Sequence, residues 1–173
     1  DDKTLLLQPL SMHQPATQVA TLWPEESIEW LIQQLIVLPV KGTGISKSKL
    51  LHDMLWKAAQ NHPKLFLKQM QRDEVLDLLS SSDISAYFYL QGVAPSTKRD
   101  LLKNLIENES FLGNLTAEQD SAFVLSLLHY SSIEQFKSLL ENENIRDIFK
   151  GYQGYNRELD YAVHTLLGPG KWS

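Results

Sequence analysis

The chain has 173 residues and a formal net charge of −5, and 43% of its residues are apolar while 21% are charged. This composition is typical of a soluble folded domain with enough apolar side chains for a sizeable core. No apolar run reaches the roughly 18 residues that a membrane-spanning helix needs, and no secretory signal pattern is present. We therefore expect neither a membrane-spanning segment nor a signal peptide.

The sequence contains no cysteine. This excludes disulfide frameworks, thiolate metal sites and cysteine nucleophiles. The absence also fits a reducing compartment. It predicts a cytoplasmic protein, or one that is secreted into the cytosol of a host cell.

The first 23 residues contain two prolines and no sustained helical period. We expect residues 1–23 to form an arm that packs on the rest of the protein through apolar side chains. These are Leu5, Leu6, Leu7, Leu10 and Trp23. Residues 24–173 are predicted to form a single helical domain. Because the first residue is Asp and not Met, we expect the chain to be part of a larger polypeptide.

Two apolar stripes at helical spacing follow the arm. The first begins after Pro24 and predicts a helix that ends at Pro39. Its members are Ile28, Leu31, Ile32 and Leu35. The second begins after Ser46 or Ser48, either of which can cap a helix. Its members are Leu51, Met54, Leu55 and Ala58.

Residues that start helices recur along the rest of the chain, and glycines that stop them follow at Gly92, Gly151 and Gly168. The predicted starts are Pro63, Asp83, Ser96, Thr116, Ser132 and Asn156. The side chains that we expect in the core are Leu102, Leu105, Val124, Leu128 and Val163. Alternation typical of strands is essentially absent. The sequence predicts an all-α irregular bundle of about nine to ten helices.

A weak internal similarity leaves a helical repeat open as an alternative architecture. The segment Leu105–Phe111 resembles Leu139–Ile145, at an offset of 34 residues by the numbering. Leu79–Ile84 and Leu128–Ile133 also share one outline, an apolar pair followed by four polar residues and an apolar restart. An offset of 34 residues is the length of a helix-hairpin solenoid repeat. Any helix, polar turn and helix would give the same outline, so the irregular bundle is favoured.

Patterns that carry chemistry are weak in this sequence. Lys41–Ser48 resembles a phosphate-binding loop, but Lys41 and Ser46 stand where that pattern needs glycines. The pairs His52–Asp53 and Asp160–His164 have the residue types of a catalytic dyad, and the second is equally a surface pair at helical spacing. No two of the histidines have the spacing of a helical metal pair. We infer no catalytic residue, no metal and no cofactor.

The charge distribution gives a candidate binding surface. Residues 41–72 contain seven basic residues against a single acid, Asp53. The basic residues are Lys41, Lys47, Lys49, Lys57, Lys64, Lys68 and Arg72. Such a stretch can bind acidic proteins or anionic lipid head groups, including phosphoinositides. It can equally form a solvated face that pairs with acids elsewhere in the chain.

Trp56 lies away from the core stripe of its predicted helix, by about 150° at 100° per residue. A tryptophan on a polar face is costly to leave in water, so we expect either another part of the chain or a partner to cover it. Arg157, Tyr161 and His164 form a similar group away from the apolar stripe of the last helix. The tentative partner-binding residues are therefore these three with Trp56 and three lysines, which are Lys47, Lys49 and Lys57.

The leading interpretation is a helical protein–protein interaction module, an adaptor- or effector-type domain that binds a helix or an extended peptide. The first alternative is a domain that binds anionic lipid through the basic residues of 41–72. The second is a hydrolase or transferase with His and Asp from separate helices. Nucleic acid is the least favoured partner, because the chain is acidic and contains no known nucleic-acid-binding module.

Overall fold

The structure is a computed structural model, and it describes residues 23–39, 46–152 and 157–168, without the side chains of 158–160 and 162. Contacts between Cα atoms divide the chain into two compact units, Asp1–Leu101 and Leu102–Ser173. The single domain over 24–173 stays a prediction. The expected arm of residues 1–23 lies outside the described residues, except for Trp23.

Eleven α-helices and no strand are found in these described ranges, which confirms the all-α class. In chain order the helices are α1 Glu25–Val37, α2 Lys47–Asn61, α3 Pro63–Gln69, α4 Asp73–Leu78, α5 Ser81–Ala86, α6 Pro95–Glu107, α7 Glu109–Asn114, α8 Ala117–Tyr130, α9 Ile133–Glu141, α10 Glu143–Lys150 and α11 Arg157–Leu167. Helices α1 to α5 belong to the first unit and α7 to α11 to the second, while α6 crosses the boundary. None of these helices is long and apolar enough to cross a membrane.

Helix α2 is central in the first unit, where it packs against α1, α3 and α4. All members of the two predicted stripes are buried, and α1 packs against α2. From α1 these are Ile28, Leu31, Ile32 and Leu35, and from α2 they are Leu51, Met54, Leu55 and Ala58. The periodicity of the sequence therefore identified the buried sides of both helices.

In the second unit, α10 packs against α7, α8 and α9, and α11 packs against α9. The five predicted core residues are all at most 5% exposed, and they are Leu102, Leu105, Val124, Leu128 and Val163. Asn144 on α10 holds the end of α7, because its side-chain amide donates to the carbonyls of Leu112 at 2.7 Å and Leu115 at 2.9 Å. These two carbonyls are at or near the end of α7, where no intrahelical donor reaches them.

Three predicted helix starts are confirmed and two are wrong. Pro63 is the first residue of α3, and Thr116 and Ser132 cap α8 and α9 by accepting hydrogen bonds from the backbone. Helix α6 begins at Pro95, so Ser96 lies inside its first turn. Proline has the fixed φ of a first helical position and needs no hydrogen-bond acceptor there, which explains the start one residue earlier. The predicted cap Asn156 lies outside the described residues.

Asp83 is the second wrong start, because α5 is capped by Ser80 three residues earlier. The Asp83 backbone N–H donates to Ser80 Oγ at 3.1 Å, and the Ser80 N–H donates to Asp83 Oδ2 at 3.1 Å. Asp83 is thus the second partner of a reciprocal capping box. The helix also ends at Ala86 and not near Gly92, whose φ of +84° lies in the left-handed region. A side chain at this glycine would meet Gln60 Nε2 at 2.7 Å.

The internal similarity in the sequence corresponds to two equivalent corners. In each, a helix ends, an asparagine caps the next helix, and its side chain accepts a backbone N–H. Asn108 accepts from Phe111 at 3.0 Å, and Asn142 accepts from Ile145 at 3.1 Å. The flanking helices differ in length, with 13 and 6 residues around the first corner and 9 and 8 around the second. The resemblance is therefore local, and the helices form an irregular bundle.

We expect Leu128→Ala to lower the free energy of unfolding by about 2–4 kcal/mol, because it leaves a cavity in a packed core. Ile133→Ala is the matched control, since Ile133 is an aliphatic residue that is 67% exposed in the same unit. Its cost should stay within about 0.5 kcal/mol. Urea denaturation of both variants measures the difference, and equal stabilities would refute the packing of α8.

Candidate functional site

The basic stretch of residues 41–72 is largely used inside the first unit. Lys47 is not a freely exposed cation, because its Nζ donates to the carbonyls of Ile36 at 2.9 Å and Leu38 at 2.8 Å. These carbonyls lie at the end of α1, where they have no following turn to bind and where the helix dipole favours a cation. Lys47 therefore caps α1 from the first turn of α2.

Two more basic residues of the stretch contact α1. Lys68 Nζ lies 3.2 Å from Glu29 Oε1, and Arg72 donates to Gln33 Oε1 at 3.0 Å. Arg72 also donates to Gln69 at 3.0 Å and lies 3.6 Å from a carboxylate oxygen of Glu74. The cations of α3 and of the turn that follows it thus connect these elements to α1.

Lys57 is predicted to lie on an open binding surface, but it is buried in the structure. It is only 4% exposed, and its Nζ lies 5.8 Å from the ring centroid of Trp23. Burial lowers the pKa of the Lys57 ammonium, and the Asp53 carboxylate one turn earlier opposes this change. The sequence could not reveal this, because Trp23 precedes α1 and reaches α2 only in the folded chain. Among the predicted lysines of α2, Lys49 alone is exposed.

Trp56 is half-buried, so part of the folded protein already covers its indole. Its Nε1 atom is enclosed and has no hydrogen-bond partner among the described residues. A buried donor without an acceptor costs about 1–3 kcal/mol of stability. The ring therefore packs on the protein without its polar group being satisfied, and a contact of Trp56 with a partner stays a prediction.

His52 forms a pair with Tyr87 rather than with its neighbour Asp53. The Tyr87 hydroxyl donates to the His52 carbonyl at 3.2 Å, and Nδ1 of His52 lies 2.9 Å from the same hydroxyl. A hydroxyl that has given its proton to the carbonyl accepts from Nδ1–H, so the geometry favours the Nδ1–H form of the ring. Burial raises the pKa of the Tyr87 phenol well above its ordinary value, and Asp83 and Asp53 add to the rise.

The remaining histidines of the described chain do not converge. His62 Nε2 donates to the Trp23 carbonyl at 3.3 Å, and the ring of His129 lies 5.1 Å from that of Tyr130. No group of three or more His, Asp or Glu that could hold a metal is found within 23–39, 46–152 and 157–168. The side chain of Asp160 lies outside the described atoms, so its pairing with His164 stays a prediction.

In the second unit, α11 presents the remaining predicted partner-binding residues. Val163 and Leu167 are buried and fix one side of the helix. Tyr161 is 76% exposed, and Arg157 one turn earlier is also exposed. His164, three residues after Tyr161, is half-buried. The structure thus brings these three residues to one outer face of a helix, as their spacing predicts.

A cleft of about 340 Å³ lies between the beginning of α8 and the end of α10. Its lining residues are Ala117, Ser121, Ile148, Gly151 and Tyr152. The sequence carries no signal for this group of residues, because nothing in the pattern links two segments about 30 positions apart. Only the packing of α8 on α10 brings them together. Of the lining residues, Gly151 alone stands out in the sequence, where it predicts the end of a helix.

A scan against protein-family models, a search of curated proteins and a search of solved structures each found no match to this chain.

We expect Lys57→Met to raise the free energy of unfolding at neutral pH, since it removes a buried ammonium and keeps an unbranched side chain. The pKa of Lys57 is lower in the folded protein than its ordinary value of 10.5. Between these two pKa values only the unfolded chain keeps the proton, so the stability of the parent protein rises with pH. The advantage of Lys57→Met should therefore shrink as the pH approaches 10.5.

Urea denaturation of the parent and the Lys57→Met variant, repeated at increasing pH, tests this expectation. The contribution of Tyr87 is common to both proteins and cancels in the difference. Lys49→Met is the matched control, because Lys49 is exposed on the same helix. It should change the stability by less than about 0.5 kcal/mol at every pH. A constant difference for Lys57→Met across the range would contradict the burial of the ammonium.

Two replacements of Trp56 should differ strongly. Trp56→Ala removes the packed ring and should cost about 2–4 kcal/mol of stability, slightly less than a fully buried aromatic residue. Trp56→Phe keeps an aromatic ring and removes the unpaired N–H, so it should cost less than about 1 kcal/mol. Thermal or urea unfolding measures both. If Phe proves as costly as Ala, the indole N–H has a bound acceptor in solution.

Proposed function

We propose that this chain is a helical protein–protein interaction module and that the outer face of α11 contacts the partner. The observation that supports the proposal is the exposure of Tyr161. At 76% it is the highest among the large apolar side chains of the described residues. Exposed tyrosine and arginine are the residue types that most often contribute strongly to binding energy in interfaces.

The position of Tyr161 on a fixed helix favours binding further. Val163 lies two residues later and is 1% exposed, so the two side chains leave the helix in nearly opposite directions. The buried side orders the helix before any partner arrives, which lowers the entropic cost of association. Arg157 and His164 lie next to Tyr161 and can donate hydrogen bonds to a partner. A helix or an extended peptide with an apolar anchor and nearby acceptors fits this arrangement.

The structure supports the alternative of anionic-lipid binding less than the number of basic residues in 41–72 suggests. Lys47, Lys68 and Arg72 bind α1, and Lys57 is buried. Lys57 is thus withdrawn from solvent and the other three have contacts within the protein, whereas Lys49 and Lys64 stay exposed. The enzyme alternative has no specific observation in its favour. An adaptor- or effector-type role in a larger protein remains our proposal for the biological context.

The test uses a photo-crosslinking amino acid in place of Tyr161 and, as the control, in place of the exposed Ile133. A protein that is crosslinked in an extract of the source cells from position 161 alone is identified and purified. Its affinity for the parent chain and for Tyr161→Ala is then measured by calorimetry. We expect Tyr161→Ala to weaken binding by about 2 kcal/mol, roughly 30-fold, with Ile133→Ala near neutral.

The stability of Tyr161→Ala serves as the internal control. The side chain is mostly exposed, so the variant should unfold at the parent's temperature, and any loss of affinity then reports on contact. Equal crosslinking from positions 161 and 133, or an unchanged affinity of Tyr161→Ala, would show that α11 does not contact the partner.

A further inference from the structure

We draw no further inference here: the strongest candidate, the exposed apolar patch that Val37, Leu38 and Pro39 form at the end of α1, carries none, because nothing in the described residues shows what covers it.

Discussion

The first unit depends on the wide burial of α2, whose buried surface extends beyond its apolar stripe. Its buried residues span about 200° of the helix circumference at 100° per residue, from Lys57 through Leu51 to Ala59. Helices α1, α3 and α4 supply part of the cover, and Trp23 lies against the lysine. A helix buried so widely must take polar groups with it. The lowered pKa of Lys57 and the unpaired N–H of Trp56 are the costs of that arrangement.

Part of the basic stretch is used inside the first unit, while Lys49, Lys64 and Lys68 stay exposed. Lys47 satisfies carbonyl groups at the end of α1, and Lys68 and Arg72 hold the flanking elements to the outer side of that helix. Because α1 ends without a basic residue of its own in the last turn, the cation comes from the next helix. Part of the charge segregation in the sequence thus serves contacts within the first unit.

The second unit is organised by capped corners and keeps its functional candidates on the outside. Asn108 and Asn142 allow a new helix to begin directly after the previous one, and Asn144 satisfies carbonyls at the end of α7. Away from these corners, Tyr161 on α11 and Tyr152 beside the cleft are exposed. Each of these two tyrosines has a buried aliphatic residue close to it in the sequence, which is Val163 for Tyr161 and Ile148 for Tyr152.

The sequence by itself determined the all-α class, the buried stripes of α1 and α2, the five core residues and three of the later helix starts. These features follow from local rules, since helical periodicity and capping involve residues within a few positions of each other. It also placed Arg157, Tyr161 and His164 on one face of α11. Only the tertiary structure determines that Lys47 caps α1 and that Lys57 is buried. It also determines the partner of His52 and the existence of the cleft. Each of these depends on a contact between residues that are about 10 to 35 positions apart, and such contacts are set by how helices pack and leave no periodic signal in the chain.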